Sequence, residues 1–297
     1  MLNLKKMVQD LMKEQHFDAI AVGVIDFRSK TFECFEFLAN VESKEPYLYF
    51  DLASLTKPLT NSAVYLKHSD KFTNDMLLLL NHKAGLTSGG LLDKYHWREF
   101  INHYSITKSE TLYSDYSSLR CMLEIEKTFN KSLYDLCSYF YDNELLHWKM
   151  LPIESFTPEY GMRNNKIIFK EVHDNNAYNI NEFVSHAGLF ATINGLCKSL
   201  INLENETNLQ KFLINFKLED RFTYGFDRVL NTTDTLAGIG CSPNTFGHLG
   251  FTGTSFFIDC DKMRGSVILT NATQTYWYDR TGLNTLRKKI GEYIWKM

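Results

Sequence analysis

Ser54 and Lys57 stand three residues apart in the run Asp51-Leu-Ala-Ser-Leu-Thr-Lys-Pro58. On a helix that spacing puts a hydroxyl nucleophile and an amine on one face, about one turn apart. In a first helical turn the unpaired backbone N–H groups favour negative charge, which suits a serine attacking a carbonyl. Lys57 can take the hydroxyl proton when burial or a neighbouring cation lowers its pKa. Pro58 is compatible with a helix only near its start, which sets the pair at the helix mouth. The bland reading is an ordinary helix start, so the pair gains its weight from what surrounds it.

The elements that must position this pair come from both ends of the chain. Residues 19–27 form an apolar run rich in β-branched residues, 27–30 a turn, and 31–38 a return strand, which predicts a hairpin. Residues 46–50 read as a short strand leading into the Ser54 helix. Near the other end, 250–258 and 265–269 read as strands joined by a polar turn, and 278–297 as a terminal helix. Leu4, Met7, Val8, Leu11 and Met12 fall at helical spacing in an amphipathic N-terminal helix. Between them the pattern is mostly helical, at 117–128, 133–141 and 196–203, with a long loop over 151–181. The expected fold class is α/β of the α+β type: an antiparallel sheet from both chain ends, flanked by helices, with an all-helical insertion. The boundaries expected are 1–70 and 216–297 for the sheet domain and 71–215 for the insertion, with the site between them.

Composition removes several classes. A chain of 297 residues with net charge −3 and scattered Lys and Arg carries no electrostatic footprint for nucleic acid. Cys34, Cys121, Cys137, Cys197, Cys241 and Cys260 are widely spaced, without a C-x-x-C or Cys/His cluster, and read as reduced thiols. No apolar h-region follows the N-terminal lysines, and no stretch approaches the ~18 apolar residues of a membrane span. A cytoplasmic protein without membrane contact is expected, its oligomeric state open. G-x-S-x-G, G-x-x-x-x-G-K-[ST] and H-E-x-x-H are absent, and Gly238-Ile-Gly240 meets a proline rather than a helix. No metal or organic cofactor is implied.

Three motifs in order then carry a resemblance: Ser54-Leu-Thr-Lys57, Tyr113-Ser114-Asp115, and His248-Leu249-Gly250 followed by Phe251-Thr-Gly-Thr-Ser255. The chain resembles the serine β-lactamase and penicillin-binding-protein superfamily, in its class C-like and esterase-like branch. Leu79-Leu80-Asn81-His82-Lys83-Ala84-Gly85-Leu86, Val172-His173-Asp174-Asn175-Asn176-Ala177 and Ser185-His186-Ala187-Gly188-Leu189-Phe190 match further blocks of that branch. The resemblance runs from about residue 19 to the C-terminus.

It implies acyl transfer on Ser54, with Tyr113 passing the proton to the leaving group and later activating the deacylating water. A phenol has a reference pKa near ~10, so Lys57 and a protonated His248 are expected to bring it down. Asp115 stands where many relatives carry an amide. It is placed to hold Lys57 by a charge-assisted hydrogen bond, which favours the charged, non-basic lysine. Tyr113 is therefore weighted as the main base and Lys57 as electrostatic support. The oxyanion donors implied are the backbone N–H groups of Ser54 and Phe251, with Gly250 suiting a strand approached closely by substrate. Leu249 replaces the threonine usual in the third motif and removes a hydroxyl for holding a substrate carboxylate.

Structural readings stand beside these. On local sequence alone, without the motif order, Tyr113 reads as a buried loop–helix tyrosine, and His248 reads equally as a satisfied strand histidine. Asp174 and His173 read as a turn beside the cleft, and His186 with Gly188 as a tight strand-to-loop approach. His82, with Gly85, Gly89 and Gly90, reads as a cleft-lining loop. The 76–80 run reads as core, and Tyr276-Trp277-Tyr278 as pocket mouth or packing. The function expected is a serine hydrolase cleaving an ester or amide of a small-molecule or peptide-like substrate. Cell-wall muropeptides lead, with a small-ester carboxylesterase as alternative and a non-catalytic ligand-binding protein on the same fold as a further one.

Overall fold

Sequence alternation and two amphipathic terminal helices account for the centre of the molecule. The computed structural model describes residues 1–214, 221–275 and 278–297. Strands β1 (Ala19–Asp26), β2 (Thr31–Leu38) and β3 (Val41–Glu42) open the main sheet as an antiparallel meander, with Asp26 opposite Thr31 across the expected turn. Asp26 Oδ1 holds that turn by accepting from the N–H groups of Arg28 and Ser29.

Two small sheets follow. β4 (Phe50–Asp51) and β5 (Leu145–His147) both pair with β8 (Leu189–Ala191), and β6 (Met162–Arg163) forms a hairpin with β7 (Lys166–Ile167). The middle of the chain is therefore helical with short strands added, where helices alone were expected. Their two- and three-residue lengths are too short for a periodic signal.

The last strands are β9 (Phe222–Thr223), β10 (Phe226–Arg228), β11 (Thr245–Leu249), β12 (Ser255–Asp259) and β13 (Arg264–Thr270). They complete an eight-stranded sheet in the order β3-β2-β1-β13-β12-β11-β10-β9, antiparallel throughout. The sheet thus draws on both chain ends, and β1 pairs with β13 from Ile20 to Asp26.

Both faces of β1 are covered. Ile20, Val22 and Val24 share a core with Leu4, Val8, Leu286, Ile290 and Ile294 from the helices Leu2–Met12 and Thr281–Trp295. Ala19, Ala21 and Ile25 pack on the other face with Leu196 and Leu200 of helix Ile193–Thr207. That helix, inside the boundaries expected for the insertion, lies against the main sheet. Gly23 permits the contact, since a Cβ there would meet Cys197 Sγ at 2.4 Å. A third core joins helices Asn74–Leu80, Trp97–Asn102 and Asp115–Phe129.

Three local expectations are corrected. The strand expected over 250–258 is a turn followed by β12: Gly250 N–H donates to Thr254 C=O at 2.8 Å and Gly253 N–H to Gly250 C=O at 3.0 Å. Gly253 adopts φ +100°, which ends the extended run. β11 carries the third motif, which the resemblance places on an edge strand; it is flanked by β12 and β10, although β10 pairs only with Phe246 and Gly247 and leaves His248 and Leu249 beyond its end. The strand expected over 46–50 shrinks to β4 and one bridge between Leu48 and Phe156.

All six cysteines carry free thiols. Among the described residues no helix is long and apolar enough to cross a membrane. The boundary expected at 215/216 and the residues Tyr276 and Trp277 lie outside the described residues.

Candidate active site

Ser54 lies in a tight turn, Ala53–Leu55, that continues through Thr56 and Lys57 into a helix ending at Lys67. Pro58 lies further into this helix than a first-turn position. It lacks the N–H that would bond Ser54 C=O, and its ring crowds that carbonyl. The helix answers with a wide π-type segment over Pro58–Ser62, so the chain passes the proline without breaking.

Lys57 is buried, and its Nζ lies 3.0 Å from Ser54 Oγ, 2.7 Å from Asp115 Oδ1 and 3.2 Å from His186 C=O. Nζ also sits 4.9 Å from the centre of the Tyr113 ring. Burial opposes the ammonium charge, but the Asp115 carboxylate and the Tyr113 phenol outweigh it and raise the pKa above the ordinary lysine range. Lys57 therefore rests charged. The lowered, basic lysine that a bare Ser–Lys pair would need is not what this site holds.

The second motif is set by a helix cap. The Ser114 side chain accepts from Ser117 N–H at 2.9 Å, which places Asp115 in the first turn of helix Asp115–Phe129 and aims it at Lys57. Behind it, His82 Nδ1 accepts from Ser114 N–H at 3.2 Å, and its ring packs 4.7 Å from Tyr113 and 4.8 Å from Phe222. His82, expected to line the cleft, supports Tyr113 from the interior instead. Burial, then Lys57 and His248, lower its pKa to about 3, so the ring is neutral.

His248, next to last in β11, has its ring 6.0 Å from Tyr113, its Nδ1 donating to Leu249 C=O at 2.9 Å. Burial, followed by the charge of Lys57, lowers its pKa to about 3. The protonated His248 expected to help ionise Tyr113 is therefore absent. Burial also raises the Tyr113 pKa, while Lys57, by charge and hydrogen bonding, and Ser54 pull it down only in part. Lys57 is the one ammonium in this cluster of described residues.

Gly250 carries the third motif's turn against the nucleophile's approach: a Cβ there would meet Leu52 C=O at 2.8 Å and Thr254 Oγ1 at 2.0 Å. Ser54, Tyr113 and Phe251 consequently line two cavities at once. The first, about 540 Å³, adds His248, Leu249, Gly250, Asn284, Arg280, Arg287 and the paired Arg221 and Asp227. The second, about 400 Å³, adds Asp115, His173, Asp174 and His186.

Arg287 was missed in the sequence. It is buried, donating to Thr254 C=O at 2.9 Å, and burial with the neighbouring Arg280 lowers its pKa to about 9. The available signal was an arginine on the apolar stripe of the terminal helix, beside Leu283, Leu286 and Ile290.

Asp174 and His186 meet: His186 Nε2 is 2.9 Å from Asp174 Oδ1, which also accepts from Ala177 N–H at 2.8 Å as the cap of helix Asn175–Ile180. Burial works against the Asp174 charge, but His186 and the helix cap outweigh it and hold the carboxyl below the usual carboxylate range. A depressed folded-state pKa contributes stability that is present above about pH 4 and lost as pH falls below it. Asp174→Asn is expected to lower Tm on the neutral limb of a plot of Tm against pH and to flatten the acid limb, the two proteins converging as pH falls.

A serine, a charged lysine and a tyrosine gather where an antiparallel sheet meets a helical layer, and these are residue types that nucleophilic acyl transfer uses. The chain belongs to the Beta-lactamase family, whose description matches residues 76–287 and so takes in Tyr113 and His248 but begins after Ser54 and Lys57. No curated protein matches the sequence. The fold is similar to a class C β-lactamase from Rhodobacter sphaeroides (11% identity, 99% of this chain and 98% of that one, TM-score 0.67). It is also similar to a β-lactamase from Mycobacterium bovis (15%, 97% of each chain, TM-score 0.63). A third similar structure is a β-lactamase/D-alanine carboxypeptidase from Pseudomonas syringae (10%, 96% and 97%, TM-score 0.62). Family and fold together indicate a serine hydrolase of the β-lactamase superfamily.

Proposed function

We propose that this protein cleaves an ester or amide bond through an acyl-enzyme on Ser54. The reading is carried by Lys57 Nζ at 3.0 Å from Ser54 Oγ, beside Tyr113, where the two cavities join. Ser54 Oγ forms the bond to the substrate carbonyl carbon as ionised Tyr113 takes the hydroxyl proton. The bond to the leaving oxygen or nitrogen then breaks as Tyr113 returns that proton to it. The same phenolate next takes a proton from water as the water oxygen bonds to the acyl carbon, and returns it to Ser54 Oγ as the bond from that oxygen to the acyl carbon breaks. Lys57, held charged by Asp115, makes the phenolate accessible. The N–H groups of Ser54 and Phe251 are the proposed oxyanion donors, each such donor being worth about 2.7–4 kcal/mol of barrier.

Arg280 and Arg287, which line the first cavity, favour a substrate carrying a carboxylate, and with it a peptide-like substrate such as a cell-wall muropeptide. A cytoplasmic protein would meet such fragments during wall recycling. Neutral His248 and apolar Leu249 favour a second reading, a carboxylesterase acting on small uncharged esters.

The deciding experiment incubates wild-type protein and Ser54→Ala with a fluorophosphonate probe, a fluorescent penicillin and muropeptides, with intact mass as readout. A Ser54-dependent phosphonate adduct is expected, and release of peptide or alanine from muropeptides supports the first substrate class. Adduct formation with turnover of p-nitrophenyl esters alone supports the carboxylesterase. Ligand binding without any adduct, unchanged in Ser54→Ala, would instead make this a non-catalytic binding protein.

A further inference from the structure

Asp51 has no part in the proton traffic just described, yet it is fully buried three residues ahead of the nucleophile. Its two carboxylate oxygens serve two separate parts of the site. Oδ1 accepts from Ala53 N–H at 2.8 Å and Oδ2 from His173 N–H at 2.6 Å. Ala53 adopts φ +45°, a left-handed conformation that a residue with a Cβ avoids. It directly precedes Ser54, so its backbone sets where the Ser54 N–H and hydroxyl point. His173 and the adjoining Asp174 line the second cavity.

The main chain of Asp51 is fixed as well. Its N–H donates to the Tyr160 hydroxyl oxygen at 2.7 Å, and its C=O accepts from Thr252 Oγ1 at 2.7 Å. Thr252 follows Phe251, so one residue joins the nucleophile's turn, the second cavity wall and the turn that carries the other proposed oxyanion donor.

Resting on the acyl-enzyme reading, we propose that Asp51 is a positioning residue: its ionised carboxylate holds Ala53 left-handed, aims the Ser54 N–H and hydroxyl, and ties the His173 loop to the same frame. A carboxylate accepts on both oxygens, whereas protonation turns one of them into a donor that opposes an N–H. The ionised form accepts both bonds at full strength, whereas a protonated oxygen accepts more weakly. Burial raises the carboxyl pKa to about 7 against the pull of the two N–H groups, with Asp174 adding to the rise and Arg163 opposing it. The other groups facing it are the Tyr160 hydroxyl and His173, whose imidazole burial holds neutral with a pKa of about 4. Asp51→Asn fixes the neutral form without changing shape.

The test measures Ser54-dependent fluorophosphonate labelling from about pH 5 to about pH 9. Wild-type log rate is expected to climb more steeply below about pH 7 than above it, because two deprotonations are needed below and one above. Asp51→Asn is expected to lose that bend and to label at least about tenfold more slowly at the alkaline end. Adding Ala53→Gly to Asp51→Asn is expected to recover several-fold, since glycine adopts the left-handed conformation without help. That recovery separates positioning from loss of fold. Labelling of Asp51→Asn at the wild-type rate with the wild-type bend overturns the proposal.

Amide hydrogen exchange at Ala53 and His173, corrected for intrinsic pH dependence, provides a readout without chemistry. Protection is expected to grow as wild-type protein passes pH 7 and to stay low in Asp51→Asn. Equal protection in both proteins overturns the proposal even where neither reacts with the probe. Growing protection without any Ser54-dependent label supports the hold on Ala53 and counts against the acyl-enzyme reading alone.

Discussion

Tyr113→Phe is expected to lower kcat for ester hydrolysis by about 10²–10⁴-fold, the usual contribution of a positioned acid–base group, with little change in KM. The substitution removes one oxygen and leaves the ring between His82, Phe222 and His248, so the fold around it persists. The pH dependence separates this base from a lysine base. Burial raises the phenol's pKa and Lys57 brings it only part of the way back, so at neutral pH the ionised form is a minority. Wild-type kcat/KM is then expected to keep rising on the alkaline side up to about pH 10, with no plateau near neutrality. A plateau by about pH 8 would mean that another group takes the proton, and a Tyr113→Phe enzyme of wild-type activity would remove tyrosine from the mechanism altogether.

Much of this site could be read from residue spacing because its parts are local. The Ser54–Lys57 face follows from helical geometry, the 27–30 turn from its flanking strands, and the hold of Asp115 on Lys57 from charge alone. Protonation states could not be read so directly. His248 is neutral because Tyr113 and Phe222 enclose it and Lys57 repels a second charge, a fact that depends on contacts across more than a hundred residues of chain. The third motif's strand was overextended because Gly250 and Gly253 allow close strand packing and tight turns alike, and only the hydrogen bond to Thr254 decides between them. Asp51 gave no sign because both of its donors are backbone groups, and one of them, His173, lies 122 residues away. Arg287 was legible in principle, since a guanidinium on a buried helical stripe demands a polar use.

The charge pair under the nucleophile predicts a second large effect, one in which stability and activity part company. Lys57→Met is expected to reduce acylation by at least about 10³-fold, because the phenolate loses its one neighbouring ammonium and faces the Asp115 carboxylate unscreened. It also strands that carboxylate. Removing one partner of a buried pair costs about 3–5 kcal/mol, and the partial exposure of Asp115 brings the expected loss towards about 2 kcal/mol. Lys57→Met with Asp115→Asn removes both charges, so denaturant unfolding should recover most of that loss while acylation stays as low as in the single variant. Tyr113→Phe added to Lys57→Met should then lower acylation little further, since each disables the same proton acceptor. Multiplicative losses in that double variant would show that lysine and tyrosine act separately, and Lys57 would have to be treated as a base in its own right despite the carboxylate that holds it charged.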